Sequence, residues 1–278
     1  MSKTIRAVLM DMDGTALGKS QVAISIQNMK AIQEAIQQGI HVIPCTGRVY
    51  DMLPPQLLTQ EGLRYFVTSH GARAYDRATG ESLYEDLIPA EESAALMEFL
   101  EGKGLYNEIA ANATIYLEKA VADRLDEAAV PEHHVWYVRD NCFTAAEKPS
   151  VYFREHGIAV EKMNIYGIPQ TLQQEVYDFV TNTGFVGHTR PGAGPNLEFL
   201  HRGLSKLRAV ESILERLGVT YEETLAIGDS SSDLEIIKAC GIGVAMGNAP
   251  DFVKAAADHV TDLNTSDGLA KALRKFVL

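Results

Sequence analysis

Short apolar runs alternate with amphipathic segments over the first part of the chain. Three runs are apolar enough to form buried strands, at residues 5–10, 41–44 and 65–68. Between the first two runs, Met29, Ile32 and Ile36 recur at helical spacing, and Gly39 predicts where that helix ends. Short strands separated by helices indicate right-handed β-α-β units and therefore a parallel sheet.

The pattern becomes a mixture of strands and helices in the middle of the chain. Two extended segments, at residues 72–75 and 82–87, flank a turn and predict a β-hairpin. A helix ending near Gly102 follows, then extended segments at residues 106–110, 115–118, 135–138 and 162–166 and a helix at residues 172–180. This mixed α+β pattern predicts a separate inserted domain.

Alternation of strands and helices returns after a Gly- and Pro-rich stretch at residues 191–195. Strands are predicted at residues 196–200, 225–227 and 243–246, with helices ending at Gly218, at residues 234–239 and at residues 267–276. We therefore predict an α/β protein with a Rossmann-like parallel-sheet core. The core has two parts, residues 1–82 and 191–278, and residues 83–190 form the inserted α+β domain.

Polar side chains follow the predicted strands at the points where those strands end. They are Asp11 and Asp13, Thr46 and Gly47, and Asp229 and Asp233, with Lys206 at the start of a helix. Because the carboxyl ends of parallel strands share one edge of a sheet, we expect these groups to converge. Carboxylates bind Mg²⁺, a hydroxyl and an N–H beside glycine suit phosphate oxygens, and lysine adds positive charge. This combination suits phosphoryl transfer.

Each of these features also has an ordinary structural interpretation when it is taken alone. The interpretations are a turn at Asp13-Gly14, a strand-to-helix connection at residues 46–48, a solvated residue at Lys206 and a helix N-terminus at residues 229–233. For a shared site to be wrong, all of these ordinary interpretations would have to hold together at successive strand ends, in one order. A shared site is therefore the stronger hypothesis.

Composition and charge narrow the classes of function. The chain has 37 acidic and 25 basic side chains and a formal charge of −12, which argues against non-specific binding to nucleic acid or to anionic membranes. The absence of an apolar run of about 18 residues predicts no transmembrane helix, and the N-terminus leaves no room for a signal peptide. Cys45, Cys142 and Cys240 are widely spaced, which favours reduced thiols and a cytoplasmic location.

The four polar segments resemble, in order and spacing, the four motifs of the haloacid dehalogenase superfamily of phosphohydrolases. Asp11-x-Asp13-Gly14-Thr15 is similar to the first motif, Thr46 to the second, Lys206 to the third and Gly228-Asp229-x-x-x-Asp233 to the fourth. The resemblance is closest to the Cof-like branch, whose large cap domain is inserted between the second and third motifs. It extends over nearly all of the predicted core and is weaker in the inserted domain.

The resemblance implies a chemical role for each matching residue. Asp11 is the nucleophile that forms an aspartyl-phosphate, and Asp13 is the general acid and base. The carboxylates of Asp11 and Asp229 and the backbone carbonyl of Asp13 hold Mg²⁺, with Asp233 supporting that site indirectly or through water. The phosphoryl group is held by Thr46, the Gly47 N–H and Lys206. The chain departs from the family at His70 and Ser232, where asparagine is usual, and this leaves fine positioning open.

The implied activity is Mg²⁺-dependent hydrolysis of a small phosphorylated metabolite, such as a sugar phosphate or a similar compound. Two alternatives stay open, a phosphosugar mutase or phosphotransferase and a non-catalytic sensor of phosphometabolites. The expected partner is the small metabolite alone, without nucleic acid or membrane, and the protein is expected to be a monomer or a homodimer. Trp136 and Tyr137 either stack on the substrate or pack in the core of the inserted domain.

Overall fold

The apolar run before Asp11 forms the first strand of the computed structural model, which describes residues 4–123, 137, 143–144, 148–183, 186–189 and 196–278. Of the strand predicted at residues 135–138, the description covers Tyr137, which is helical rather than extended. Trp136, Cys142, the predicted linker at residues 191–195 and the predicted domain limit at residue 190 lie outside the described residues.

The strands and helices are numbered in chain order. The strands are β1 (Ala7–Met10), β2 (His41–Pro44), β3 (Tyr65–Thr68), β4 (Arg73–Asp76), β5 (Glu81–Glu85), β6 (Tyr106–Ala111), β7 (Thr114–Leu117), β8 (Phe143–Thr144), β9 (Lys162–Tyr166), β10 (Val186–Thr189), β11 (Leu197–Leu200), β12 (Thr224–Gly228), β13 (Ile242–Ala245) and β14 (His259–Val260). The helices are α1 (Ile26–Gln37), α2 (Pro55–Leu58), α3 (Ala90–Leu100), α4 (Lys119–Ala122), α5 (Pro149–His156), α6 (Gln170–Thr183), α7 (Lys206–Leu217), α8 (Leu234–Ala239), α9 (Asp251–Lys254) and α10 (Gly268–Phe276).

A five-stranded parallel sheet organises the first of two compact units. This unit comprises Met1–Arg48, Leu53–Glu85 and Ser205–Leu278. The strand order is β14-β13-β12-β1-β2, so that β1 lies between β12 and β2. All four residues of β1 are fully buried, as expected for a parallel strand covered on both faces. We call the edge where these strands end, just before Asp11 and Asp229, the carboxyl edge.

Two helices of the first unit end where the sequence predicts, just before Gly39 and at Gly218. The side chain of Ser25 caps α1 by accepting a hydrogen bond from the backbone N–H of Asn28. Helix α7 buries an apolar stripe that includes Val210 and Leu214, and it ends at Gly218 in the left-handed conformation. The helix therefore holds its first residue, Lys206, at a fixed position beside the carboxyl edge.

A three-stranded antiparallel sheet, in the order β3-β4-β5, completes the first unit. It contains the predicted hairpin, whose strands are β4 and β5. A parallel β-bridge joins Cys45, directly after β2, to Val67 of β3, so β3 runs parallel to the chain at the end of β2. The turn after β3 consequently comes close to the segment that follows β2.

The second unit comprises Val49–Met52 and Asp86–Leu204 and contains a six-stranded sheet in the order β10-β11-β9-β6-β7-β8. The sheet is antiparallel except for the β7–β8 pair. One face carries Ile109, Met163 and Phe199, which pack in a core with residues of α3 and α5. The other face carries charged groups, among them the ion pair between Lys162 and Glu198.

The predicted fold class is confirmed, because a parallel core sheet is combined with a mixed α+β unit that interrupts it in sequence. The strand predicted at residues 196–200 exists as β11, but it pairs antiparallel with β9 and β10 in the second unit. It therefore lies outside the parallel sheet, although it follows the Gly- and Pro-rich stretch. None of the helices in the described part of the chain is long and apolar enough to cross a membrane.

Candidate active site

The loop after β1 turns sharply at Gly14 and keeps Asp11 at the carboxyl edge. The backbone N–H of Asp11 donates to the carbonyl of Ile227 on β12, at 3.0 Å. Gly14 has a φ of +82°, and a Cβ atom there would overlap the carboxylate of Asp229. Glycine is therefore required both for the turn and for the close approach of the two loops.

Three carboxylates meet at this edge, as the sequence predicts. One oxygen each from Asp11, Asp229 and Asp233 can be chosen so that all lie within 4.8 Å of one another. Asp11 and Asp233 are buried, and Asp229 is half-buried. Thr15 supports Asp229 by donating its hydroxyl to Oδ1 at 3.4 Å. Clustered carboxylates of this kind form a suitable site for a hard cation such as Mg²⁺.

Lys206 brings positive charge into the same cluster from the first turn of α7. Its Nζ lies 2.6 Å from Oδ1 of Asp233 and 3.6 Å from Oδ1 of Asp11, and it donates to the carbonyl of Cys45 at 3.3 Å. Burial lowers the pKa of Lys206, but the carboxylates of Asp233 and Asp11 outweigh burial and raise that pKa above its ordinary value. The lysine is therefore a permanent cation.

Asp233 organises the loop that carries Asp229. Its Oδ2 accepts hydrogen bonds from the backbone N–H groups of Asp229 and Ser230, at 3.2 and 3.1 Å, and from the Ser230 hydroxyl at 3.0 Å. Its other oxygen accepts from Lys206. Because both oxygens have protein donors, Asp233 is suited to support a cation indirectly rather than to bind it directly.

The carboxyl edge holds more negative charge than its own cations neutralise. Burial and the neighbouring Asp233 raise the pKa of Asp11 well above its ordinary value. The same two causes raise the pKa of Asp229 to about 6. Four carboxylates, including that of Asp13, face Lys206 and Arg48, which leaves an excess of two negative charges in this described cluster. A bound divalent cation would balance that excess.

Thr46 and Gly47 follow β2 and lie beside the loop of Asp11, since the N–H of Cys45 donates to the carbonyl of Met10 at 2.8 Å. The backbone N–H of Thr46 donates to Val67, and its hydroxyl accepts from the N–H of Arg48 at 3.1 Å. The hydroxyl proton of Thr46 can thus be directed towards another acceptor. This is the arrangement expected for a group that contacts phosphate oxygens.

Arg48 is a site residue for which the sequence analysis assigned no role. Its guanidinium group donates to both oxygens of Asp13, from Nε to Oδ2 at 2.9 Å and from Nη2 to Oδ1 at 2.5 Å. The side chain of Asp13 is consequently oriented by Arg48, outside the group of Asp11, Asp229 and Asp233. The position of Arg48 directly after Thr46-Gly47 was the sequence signal for it.

Asn248 is a second residue without a predicted role, although Gly247-Asn248-Ala249 belongs to the stretch that resembles the family. Its side-chain N–H₂ donates to the carbonyl of Gly14 at 2.8 Å and to Oδ2 of Asp229 at 3.2 Å. Its side-chain carbonyl accepts from the backbone N–H of Asn264. Asn248 therefore connects the loop after β1 to the carboxylate of Asp229 and fixes their relative positions.

A family model described as haloacid dehalogenase-like hydrolase matches residues 8–273, which include every one of these segments. The chain belongs to this family. The prediction of the family and of the class of enzyme, a phosphatase, is thereby confirmed.

Relatives of known name are similar over almost their full length. A 5-amino-6-(5-phospho-D-ribitylamino)uracil phosphatase of Bacillus subtilis strain 168 is 30% identical, with 99% of this chain and 96% of the relative covered. A haloacid dehalogenase-like hydrolase from Bacteroides thetaiotaomicron superposes with a TM-score of 0.82 at 26% identity, covering 98% of this chain and 99% of the other. A subclass IIB sugar phosphatase superposes with a TM-score of 0.72 at 26% identity and covers 98% of each chain.

The two departures from the usual haloacid dehalogenase sequence lie at the periphery of the cluster. Ser232 is exposed, and its hydroxyl is 2.8 Å from that of Ser230. His70 has a φ of +60° and its ring packs against Gly47. Gly71 follows with a φ of +100°, and a Cβ there would meet the backbone of Lys206 at 2.7 Å. The corner at residues 69–71 thus braces the segment after β2 against the start of α7.

The side chain of Cys45 is a structural part of this haloacid dehalogenase core. Its side chain is fully buried, and burial raises the pKa of its thiol above the ordinary value. Cys45 contributes to the site through its backbone carbonyl, which accepts from Lys206. The thiol is therefore unsuited to act as a nucleophile at neutral pH.

Proposed function

We propose that this protein is a Mg²⁺-dependent phosphatase, which hydrolyses phosphate monoesters of small metabolites through an aspartyl-phosphate on Asp11. The observation that carries the proposal is the convergence of Asp11, Asp229 and Asp233 with Lys206 at one edge of the sheet. Phosphoryl transfer depends mainly on positioning and on neutralisation of charge, and this cluster supplies both.

The residues present fit a bound Mg²⁺ ion. The excess of negative charge and the raised pKa values of Asp11 and Asp229 mean that these carboxylates are poorly compensated by the protein itself. Asp11 and Asp229 would hold the ion together with the backbone carbonyl of Asp13, and Asp233 would fix the loop that carries Asp229. When bound, Mg²⁺ neutralises the ligand carboxylates and polarises the phosphoryl oxygens.

The protein side chains divide the reaction into two steps. In the first, an Asp11 oxygen attacks phosphorus, the bond to the ester oxygen breaks, and Asp13 gives that oxygen a proton. In the second, water attacks phosphorus, the bond to the Asp11 oxygen breaks, and Asp13 takes the proton of the water. Thr46, the N–H of Gly47 and Lys206 would hold the phosphoryl oxygens throughout. Acid–base help of this kind is typically worth about 10²–10⁴-fold.

The proposed substrates are sugar phosphates and phosphorylated compounds with a sugar-like chain. The named relatives support this class, since one is a phosphatase of a phosphorylated ribitylamino-uracil and another is a sugar phosphatase. The proposed location is the cytoplasm, which is supported by the free, buried thiols of Cys45 and Cys240.

Release of inorganic phosphate tests the proposed function. Purified protein should be assayed with p-nitrophenyl phosphate, a panel of hexose and pentose phosphates, phosphorylated ribitylamino-uracil and phosphoglycolate. We expect turnover with Mg²⁺ and none with excess EDTA, with the highest kcat/KM for a sugar or sugar-like phosphate. Folded, metal-saturated protein that releases no phosphate from any ester would overturn the proposal and favour a sensor.

A further inference from the structure

The guanidinium group of Arg48 makes two hydrogen bonds to the carboxylate of Asp13. The fork of its guanidinium group matches the carboxylate, with Nε 2.9 Å from Oδ2 and Nη2 2.5 Å from Oδ1. Nη2 also donates to the backbone carbonyl of Gln21 at 2.7 Å, so the guanidinium is fixed on a second side. The Arg48 side chain is only 12% exposed, while that of Asp13 is 35% exposed and thus accessible to water.

The backbone of Arg48 is fixed as firmly as its side chain. Its N–H donates to the hydroxyl of Thr46 at 3.1 Å, and its carbonyl accepts from the N–H of Ser69 at 2.9 Å. Ser69 has a φ of +49° in the braced corner after β3. Arg48 therefore connects the proposed phosphate-binding hydroxyl of Thr46 to the carboxylate of Asp13 through a short, rigid path.

We propose that Arg48 is a positioning residue, which sets the plane of the Asp13 carboxylate for attack of water on the phosphorylated enzyme. This inference rests on the proposed function. In that step an oxygen–phosphorus bond to water forms, the bond between phosphorus and the Asp11 oxygen breaks, and a proton of the water passes to Asp13. Each carboxylate oxygen can accept more than one hydrogen bond, so the two hydrogen bonds from Arg48 leave Asp13 able to accept that proton.

The second step depends on Arg48 more than the first step does when the leaving group is good. The second step needs an Asp13 oxygen directed at the attacking water, and the two hydrogen bonds from Arg48 fix the directions of both oxygens. p-Nitrophenolate leaves without needing a proton. With p-nitrophenyl phosphate, loss of Arg48 should therefore slow hydrolysis of the aspartyl-phosphate while its formation stays fast.

Another arginine of the same unit provides a matched control. Arg64 bonds both oxygens of Asp76 in the same way, from Nε at 2.7 Å and from Nη2 at 2.5 Å. This pair joins the start of β3 to the end of β4 and has no place in the proposed mechanism. Arg64→Gln thus removes an ion pair of the same bidentate geometry without touching Asp13.

Rapid mixing with p-nitrophenyl phosphate and Mg²⁺ tests the inference. Arg48→Gln should give a fast burst of about one p-nitrophenolate per enzyme, followed by a steady-state rate about 10- to 100-fold below wild type. Acid quenching and mass spectrometry should find phosphate on Asp11. Arg64→Gln should match wild type in burst and in kcat. Arg48→Lys should keep the defect of Arg48→Gln, because a point charge does not fix the plane of a carboxylate.

The outcomes separate the two proposals. Three results would overturn the positioning role: unchanged kcat in Arg48→Gln, equal losses in the burst and in the steady-state rate, or full recovery of activity in Arg48→Lys. Each of them would leave the proposed function intact as long as the wild-type protein turns over. Circular dichroism and Tm identify a variant that fails to fold, and Arg48→Lys then decides the matter. Wild-type protein that turns over no ester would overturn the proposed function, and this inference with it.

Discussion

Each of the two units buries a lysine against a carboxylate, and the surroundings of the two pairs differ. In the second unit, Nζ of Lys162 lies 2.7 Å from Glu198, which is on the neighbouring strand and on the same face of the sheet. In the first unit, Nζ of Lys206 lies 2.6 Å from Asp233, but Asp11 and Asp229 crowd the same place. The Lys162–Glu198 pair is a cross-strand contact, whereas the Lys206–Asp233 pair belongs to a cluster with excess negative charge.

The surroundings distinguish a buried ion pair that joins structural elements from one that belongs to a reactive cluster. The Lys162–Glu198 pair joins two neighbouring strands of one sheet. The cluster around Lys206 instead raises the pKa of two of its acids, which is a cost to the folded protein unless a cation binds. Perturbed acids at the carboxyl edge therefore support a functional reading of the Lys206 pair, and mutations can test the contrast.

The largest expected effect comes from Asp11→Asn. We expect kcat to fall by at least about 10⁴-fold, because the nucleophile is lost. The same change should raise the Tm of metal-free protein, since the buried charge of Asp11 is unfavourable there. Phosphate release and differential scanning calorimetry in EDTA measure the two effects. Wild-type turnover in this variant would contradict the assignment of Asp11 as nucleophile.

Replacement of each of the two lysines by methionine tests the comparison directly. Lys206→Met should lower kcat/KM by about 10²–10³-fold, because a charge aimed at the phosphoryl oxygens is removed. Lys162→Met should leave kcat within about a factor of three. Either change can reduce stability by about 3–5 kcal/mol, because each leaves a buried carboxylate without its lysine. Urea unfolding records stability separately from kinetics, and equal kinetic losses in the two variants would erase the distinction.

The sequence predicts the carboxyl edge well because each contribution to it is local. Every strand that reaches the edge is an apolar run, and Asp11, Thr46 and Asp229 follow such runs directly. Parallel pairing then brings these residues to one edge whatever the details of the loops. The helical stripe that ends at Gly218 likewise places Lys206 at the start of α7.

What the sequence does not predict depends on contacts between distant segments. Asp13 and Arg48 are 35 positions apart, and Asn248 and Gly14 are 234 apart, so no periodicity relates them. Strand β11 was predicted correctly as a strand, but its short apolar pattern does not specify a partner. Its antiparallel pairing with β9 and β10 decides that it belongs to the second unit.

Addition of metal should affect the first unit through Asp229. At about 100 times its Kd, Mg²⁺ should stabilise wild-type protein by about 2.7 kcal/mol, because it binds the folded state only. Asp229→Asn should lose most of this gain, whereas Glu198→Gln in the second unit should keep it. Thermal unfolding with and without Mg²⁺ measures the difference. An equal gain in both variants would place the cation elsewhere.

The last expected effect is a pH dependence of stability in metal-free protein. Folding raises the pKa of Asp229 from 3.8 to about 6, mainly through burial and then through Asp233. Between these values Asp229 binds more protons in the folded state than in the unfolded state, so the contribution of Asp229 to stability falls as pH rises through the window and levels off above about 6. The raised pKa of Asp11 acts in the same direction.

Urea unfolding in EDTA at several pH values from 4 to 7 measures this slope. Asp229→Asn should flatten it, because the titrating group is removed. Saturating Mg²⁺ should also flatten or reverse it in the wild type, because the ion favours the ionised carboxylate. Equal slopes in metal-free wild-type protein and in Asp229→Asn would show that folding does not raise the pKa of Asp229. The contrast between the two lysine pairs would then lose its physical basis.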